Sequence, residues 1–201
     1  MKLNVPFYVQ GHNECGPVSL QMVLEFLGNK QDKDILKKNL QSESSGTTWT
    51  LDLARISAKL GFKTEFYSKS LGFNPENFNL EFYKKETDGA DQAKQKLVKL
   101  QHDCLKLGVS LHEKTLSLNE VLSKINESST AIVLLNWRII KNQEGFTGHF
   151  LPIVGYDDKN VFVHDSGPNN ATPYFAIERS LFDKARKSKG TDEDIVFINR
   201  N

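Results

Sequence analysis

Asn13-Glu14-Cys15-Gly16-Pro17-Val18-Ser19-Leu20-Gln21-Met22-Val23-Leu24-Glu25-Phe26-Leu27-Gly28 opens on turn formers and closes on glycine. Between them Val18, Met22, Val23, Phe26 and Leu27 recur at helical spacing, so the stretch reads as a helix over residues 15–27 that Gly28 stops. Pro17 falls in the first turn, where a missing N–H costs nothing. Cys15 therefore stands at the N-terminal tip of a largely buried helix. The thiolate is the nucleophilic form of cysteine, and a helix N-terminus favours it. Gly16 would leave room for a substrate backbone. Five residues before the cysteine, Gln10 can aim its side-chain amide at the same point. That amide and the Cys15 backbone N–H would make a two-donor oxyanion hole.

Outward from this helix the grammar changes once. Helices are expected over residues 32–40 and 49–60, the second preceded by Gly46-Thr47-Thr48, and a strand over 62–67. A long Lys-rich helix over 88–107 carries Leu97, Leu100, Cys104 and Leu107 on one face. Ser117-Leu118-Asn119-Glu120 has capping-box spacing and opens a helix to about residue 125. Short runs rich in Val, Ile and Phe then dominate: strands over 130–136, 149–156 and 161–164, a segment near 174–177, a helix over 179–187 and a last strand over 195–199. Helices first and antiparallel strands afterwards indicate an α+β fold in one domain, residues 1–201. Residues 73–118 form a long charged stretch whose role the sequence leaves open.

A cysteine nucleophile needs a base, usually histidine, held by a third polar group. Of the five histidines, His102 and His112 lie in charged sequence and read as surface residues. His12 is too near Cys15 in sequence to reach across a cleft, although it could line one. His149, after Thr147-Gly148 and at the head of an apolar strand, stands at the mouth of a sheet. Asp157-Asp158-Lys159-Asn160 reads as a hairpin turn, which returns the chain so that Asp165 comes near His149. Strand parity separates Asp165 from His164, because successive side chains point to opposite faces. Thr48 and Trp49, ahead of their helix, could line the cleft opposite His149; a core role for the indole is the competing reading.

Composition excludes several other classes. With 26 Lys+Arg against 25 Asp+Glu the formal net charge is +1, which gives nucleic acid no electrostatic claim. The longest apolar run, residues 131–135, is far short of the roughly 20 needed for a membrane span, and the N-terminus shows no export signal. A cytoplasmic protein is expected, with both cysteines as free thiols. His12-Xaa-Xaa-Cys15 is half of a zinc spacing without a second pair, so no metal is expected. No phosphate-binding Gly-Xaa4-Gly-Lys-Ser/Thr loop occurs, and no cofactor is implied.

Three separated motifs then agree in order and spacing. Val5-Pro6-Phe7-Tyr8-Val9-Gln10 followed by Asn13-Glu14-Cys15-Gly16-Pro17, Gly148-His149-Phe150-Leu151-Pro152-Ile153-Val154-Gly155-Tyr156-Asp157, and Val163-His164-Asp165-Ser166 together resemble the bacteriocin-processing family of papain-like cysteine peptidases. The resemblance implies a papain-like fold, a Cys15–His149–Asp165 triad assisted by Gln10, and a peptide or protein substrate cut through an acyl-enzyme. The chain departs from the family pattern at Glu14, where many members have Asp, and at Ser166, where many have Pro. Transfer or deamidation by the same triad, or peptide binding without turnover, remain open, as does the oligomeric state.

Overall fold

In a computed structural model, which describes residues 1–200, helix α1 (Cys15–Phe26) begins on the cysteine itself. The helix is buried on two sides: Val18 and Met22 enter one hydrophobic cluster, Leu20, Val23 and Leu24 the other. Full burial of one such side chain contributes about 1.5–3 kcal/mol, more than the roughly 1 kcal/mol of a side-chain N-cap. That ranking explains how α1 starts securely although Glu14, at its N-cap, makes no capping bond. Ser19 Oγ donates to the Phe150 carbonyl at 3.0 Å, which ties the first turns of α1 to strand β4 (Gly148–Tyr156).

The remaining strands are β1 (Lys63–Ser68), β2 (Ser110–Glu113), β3 (Ser129–Asn136), β5 (Asn160–Asp165), β6 (Thr172–Glu178) and β7 (Ile195–Asn199). They form one seven-stranded sheet in the order β2-β1-β7-β3-β4-β5-β6. One hydrophobic cluster covers the face that holds Leu135, Leu151 and Phe197; the other covers the face of Leu134, Phe150 and Val196. The fold is therefore α+β, with one correction to the expected antiparallel sheet: β1 and β2 pair in parallel. A parallel neighbour needs a long return path, and residues 69–109 provide it through a 3-10 turn (Asn77–Asn79), α4 (Glu81–Glu86) and α5 (Ala90–Lys106). The charged stretch that had no evident role is largely this crossover.

Helices α2 (Lys33–Asn39), α3 (Thr50–Lys59), α6 (Leu118–Ser123), α7 (Trp137–Ile140) and α8 (Arg179–Arg186) complete the structure. The capping box of α6 is present in both directions between Ser117 and Glu120. On α5, Leu100 and Cys104 are buried against α3, but Leu107 is 40% exposed and does not belong to the buried face. His112 also departs from its surface reading, since its ring stacks on Tyr67 at 4.3 Å.

The β4–β5 hairpin turns at Asp157, whose N–H donates to the Asn160 carbonyl. Ile153 pairs with Val163, and beyond that pair Asp165 comes within hydrogen-bond reach of His149. His164 turns to the other face. There Nε2 lies 2.9 Å from the Val5 carbonyl and Nδ1 accepts from the Tyr174 N–H, a structural role in a fully buried position.

Candidate active site

Three elements deliver the predicted residues to one point. Helix α1 brings Cys15, the head of β4 brings His149, and the end of β5 brings Asp165. His149 Nε2 lies 3.1 Å from Asp165 Oδ1, and both residues are almost wholly buried. The other ring nitrogen, Nδ1, is left to act on the Cys15 thiol, whose ionisation the imidazole favours. Asp165 Oδ1 also accepts from the Gly167 N–H at 3.2 Å, so its orientation is set from both sides.

Burial alone would push the Cys15 thiol up and the His149 imidazole down. Both shifts are reversed. The hydrogen bond and charge of His149, joined by the backbone N–H groups of Phe150 and Gly16, hold the Cys15 thiol below its ordinary value. The Asp165 and Cys15 side chains hold His149 above the usual imidazole range. Both shifts favour a thiolate beside an imidazolium. Cys104 is the opposite case: burial pushes it up to about 12, and its Sγ donates to the Leu51 carbonyl.

Gln10 is anchored to the same strand end as Asp165. Its N–H donates to the Ser166 carbonyl at 2.9 Å, and Ser166 Oγ donates to its Oε1 at 2.6 Å. With Oε1 fixed, the amide can offer only its Nε2 donors to the cleft, which Gln10 and Cys15 both line. Cys15 opens its helix, so its own N–H has no intrahelical acceptor. Ser166 is thus a structural partner of Gln10, marked in the sequence only as a departure from the family pattern; its place next to Asp165 was the available signal. Trp137 is a second addition. Its indole meets the His149 ring edge-on at 4.9 Å and shields that side from water.

The cleft encloses about 880 Å³. Thr48 and Trp49 both line it, and Thr48 also lies against Gly16. A Cβ on Gly16 would lie 3.0 Å from Thr48 Cβ, so this glycine also permits the close packing of α1 on the start of α3. Trp49 borders the cleft, packs against the core, and donates from Nε1 to the buried Glu43 at 2.6 Å. The far wall comes from the crossover, where Phe82 and Tyr83 meet Phe146. His12 is exposed at the rim, and among the described residues no group of three or more His, Cys, Asp or Glu side chains could hold a metal.

Three solved structures similar to this fold carry peptidase names. A double glycine motif protease from a PCAT transporter, solved with its leader peptide, is 15% identical with a TM-score of 0.53, covering 98% of this chain and 94% of its own. The peptidase domain of Streptococcus ComA is 12% identical with a TM-score of 0.54, covering 98% of both chains. A protein from Bacillus anthracis described as a C39-like peptidase is 14% identical with a TM-score of 0.59, covering 100% of this chain and 98% of its own. The fold is that of the papain-like C39 peptidase domains, the resemblance that the three motifs carry. At the level of sequence, the guanylylate cyclase family model matches residues 5–198. The chain belongs to the guanylylate cyclase family. A curated relative, Guanylyl cyclase 1 of Arabidopsis thaliana, is 26% identical over 203 residues, covering 92% of this chain and 72% of its own. Family and fold thus carry names from two different chemistries. Among the described residues, no helix is long and apolar enough to cross a membrane.

Proposed function

We propose that this chain is a cysteine peptidase, one domain over residues 1–201 that cleaves an amide bond in a peptide or protein through Cys15, His149 and Asp165. The observation that carries this reading is the meeting of Cys15, His149 and Asp165 in one cleft, with the imidazole bonded to the carboxylate. The Cys15 thiolate attacks the scissile carbonyl carbon, and the carbonyl oxygen becomes an oxyanion. Gln10 Nε2 and the Cys15 N–H donate to that oxygen. The His149 imidazolium protonates the leaving amine, which departs and leaves a thioester on Cys15. Neutral His149 then takes a proton from water, whose oxygen attacks the thioester. The acid product leaves, and thiolate and imidazolium are restored. Thr48 and Trp49 flank the entering peptide. A solved relative by fold holds a leader peptide, which supports a peptide as the occupant of the cleft.

The family name favours a second reading, cyclisation of a guanine nucleotide. That reaction is attack of a ribose 3′-hydroxyl on the α-phosphate with loss of pyrophosphate. It has no use for a thiolate, whereas acyl transfer requires one, and activity follows the site and not the family name. The two readings separate in one pair of assays on the Cys15→Ala protein. Cyclic GMP formation from GTP that survives the substitution, with no acyl transfer by the unaltered chain, would favour the cyclase.

Gln10 tests the acyl-transfer reading itself. Gln10→Ala should slow acylation of Cys15 by p-nitrophenyl acetate by about 10²–10³-fold, since the donor acts in the transition state. Alkylation of Cys15 by iodoacetamide builds no oxyanion and should be nearly unchanged. Parallel loss of both rates would make Gln10 a structural residue.

A further inference from the structure

Glu14 directly precedes the nucleophile, yet its side chain turns away from the helix it would cap. It is 8% exposed. Oε2 accepts from the Gly11 N–H at 2.8 Å and closes the turn over residues 11–14. The same carboxylate pairs with Lys33 at 2.8 Å and Lys37 at 2.5 Å, one turn apart on α2. Those partners hold the carboxylate down at about 2 against the penalty of its burial. Gly11 is fitted to this arrangement, because a Cβ there would come within 2.8 Å of Glu14 Oε2.

The position of this clasp in the chain gives it a consequence for the cleft. Gln10 lies immediately before the closed turn and Cys15 immediately after it. The far side of Gln10 is fixed independently, by Ser166. The carboxylate therefore helps to fix the spacing of the two groups that flank the turn. Asn13, in the same turn, adopts φ 54 and is held through its Nδ2 by the Ser45 carbonyl and Glu86, so the loop is braced from a second side.

We infer that Glu14 is a positioning residue for the oxyanion hole: by clasping residues 11–14 to α2, it sets the Gln10 amide against the Cys15 N–H. The inference rests on the acyl-transfer reading of the site. A displacement of about 1 Å in such a constellation costs up to roughly 10²-fold in rate. Glu14→Ala loses all three contacts. Glu14→Gln keeps the shape and the bond from Gly11 but loses the charge that binds both lysines.

The test uses the full chain and two probes of Cys15. One is acylation by p-nitrophenyl acetate, which passes through an oxyanion; the other is alkylation by iodoacetamide, which does not. Glu14→Ala should slow acylation by about 10- to 100-fold with alkylation changed less than about threefold, and Glu14→Gln should fall between it and the unaltered protein. Apparent KM for the ester should stay within about twofold, as expected when a group acts on the transition state alone. If Glu14→Ala does not fold, Glu14→Gln carries the test with the same two probes. Unchanged acylation in a folded variant would overturn the inference, and so would equal loss of both rates. Failure of the underlying reading has a different signature: no preference of either probe for Cys15 in the unaltered protein.

Discussion

Cys15→Ala should abolish acyl transfer to the protein while leaving its melting temperature close to that of the unaltered chain. The thiol is half-buried and sits at a helix terminus, so its removal leaves no large cavity. His149→Ala should cost almost as much activity, because a nucleophile and base that act as one unit are lost together whichever is removed; single losses in such sites reach about 10⁶-fold. The two variants differ in stability. His149 fills a nearly closed site against Trp137 and Asp165, and its removal leaves the Asp165 carboxylate buried without its imidazole partner. An unpartnered buried charge is costly, so His149→Ala should melt lower than Cys15→Ala. Thermal melts and p-nitrophenyl acetate acylation of the two variants check both statements. Full activity in either would remove that residue from the reaction.

Asp165→Ala should slow acylation by about 10³–10⁴-fold, less than loss of the base itself, because an orienting carboxylate fixes the tautomer and supports the imidazolium without replacing it. Here the carboxylate is 3.1 Å from His149 Nε2, which forces Nδ1 toward Cys15. It is also part of what keeps His149 protonated above the ordinary imidazole range. Removing it lowers the His149 pKa, so the rate that remains should fall off at a lower pH on the alkaline side than in the unaltered protein. His164→Ala is the control on the opposite face of β5. It should leave the chemistry almost intact and reduce stability, since the ring bonds to Val5 and Tyr174 and is fully buried. An inactive His164→Ala beside an active Asp165→Ala would reverse the assignment.

Much of this site was legible in sequence because it depends on local rules. The position of Cys15 followed from Pro17, helical periodicity and Gly28, and the partnership of His149 with Asp165 followed from one hairpin turn and a period of two. What escaped depends on contacts distant in sequence. Strand β2 is Ser-Leu-His-Glu, four residues without an apolar run, and only its parallel docking on β1 makes it a strand. The close packing of the glycine beside the nucleophile on Thr48 is likewise a contact between two elements that no local pattern announces. Phe82, Tyr83 and Phe146 follow no period that predicts a shared wall; the crossover brings them together. The motifs also point to the peptidases that share the fold, whereas the family model spans residues 5–198 and carries a cyclase name. Motif residues report the chemistry available at one point, and a whole-chain match reports descent.

The central claim is the resting thiolate–imidazolium pair, and competitive alkylation tests it most directly. A brief, limiting treatment with iodoacetamide followed by peptide mapping should place the label on Cys15 and leave Cys104 unmodified. The signs of the two pKa shifts fix the pH dependence: a lowered thiol pKa keeps Cys15 ionised below the usual thiol range, and a raised imidazole pKa keeps His149 charged beside it. The rate at Cys15 should therefore rise less between about pH 6 and pH 8 than that of an ordinary thiol, which with a pKa of about 8.5 would gain most of a factor of 100. Cys104, pushed up to about 12 and fully buried, should react only on unfolding. A Cys15 rate that climbs steeply across that interval, or label on Cys104 in the folded protein as early as on Cys15, would contradict the account.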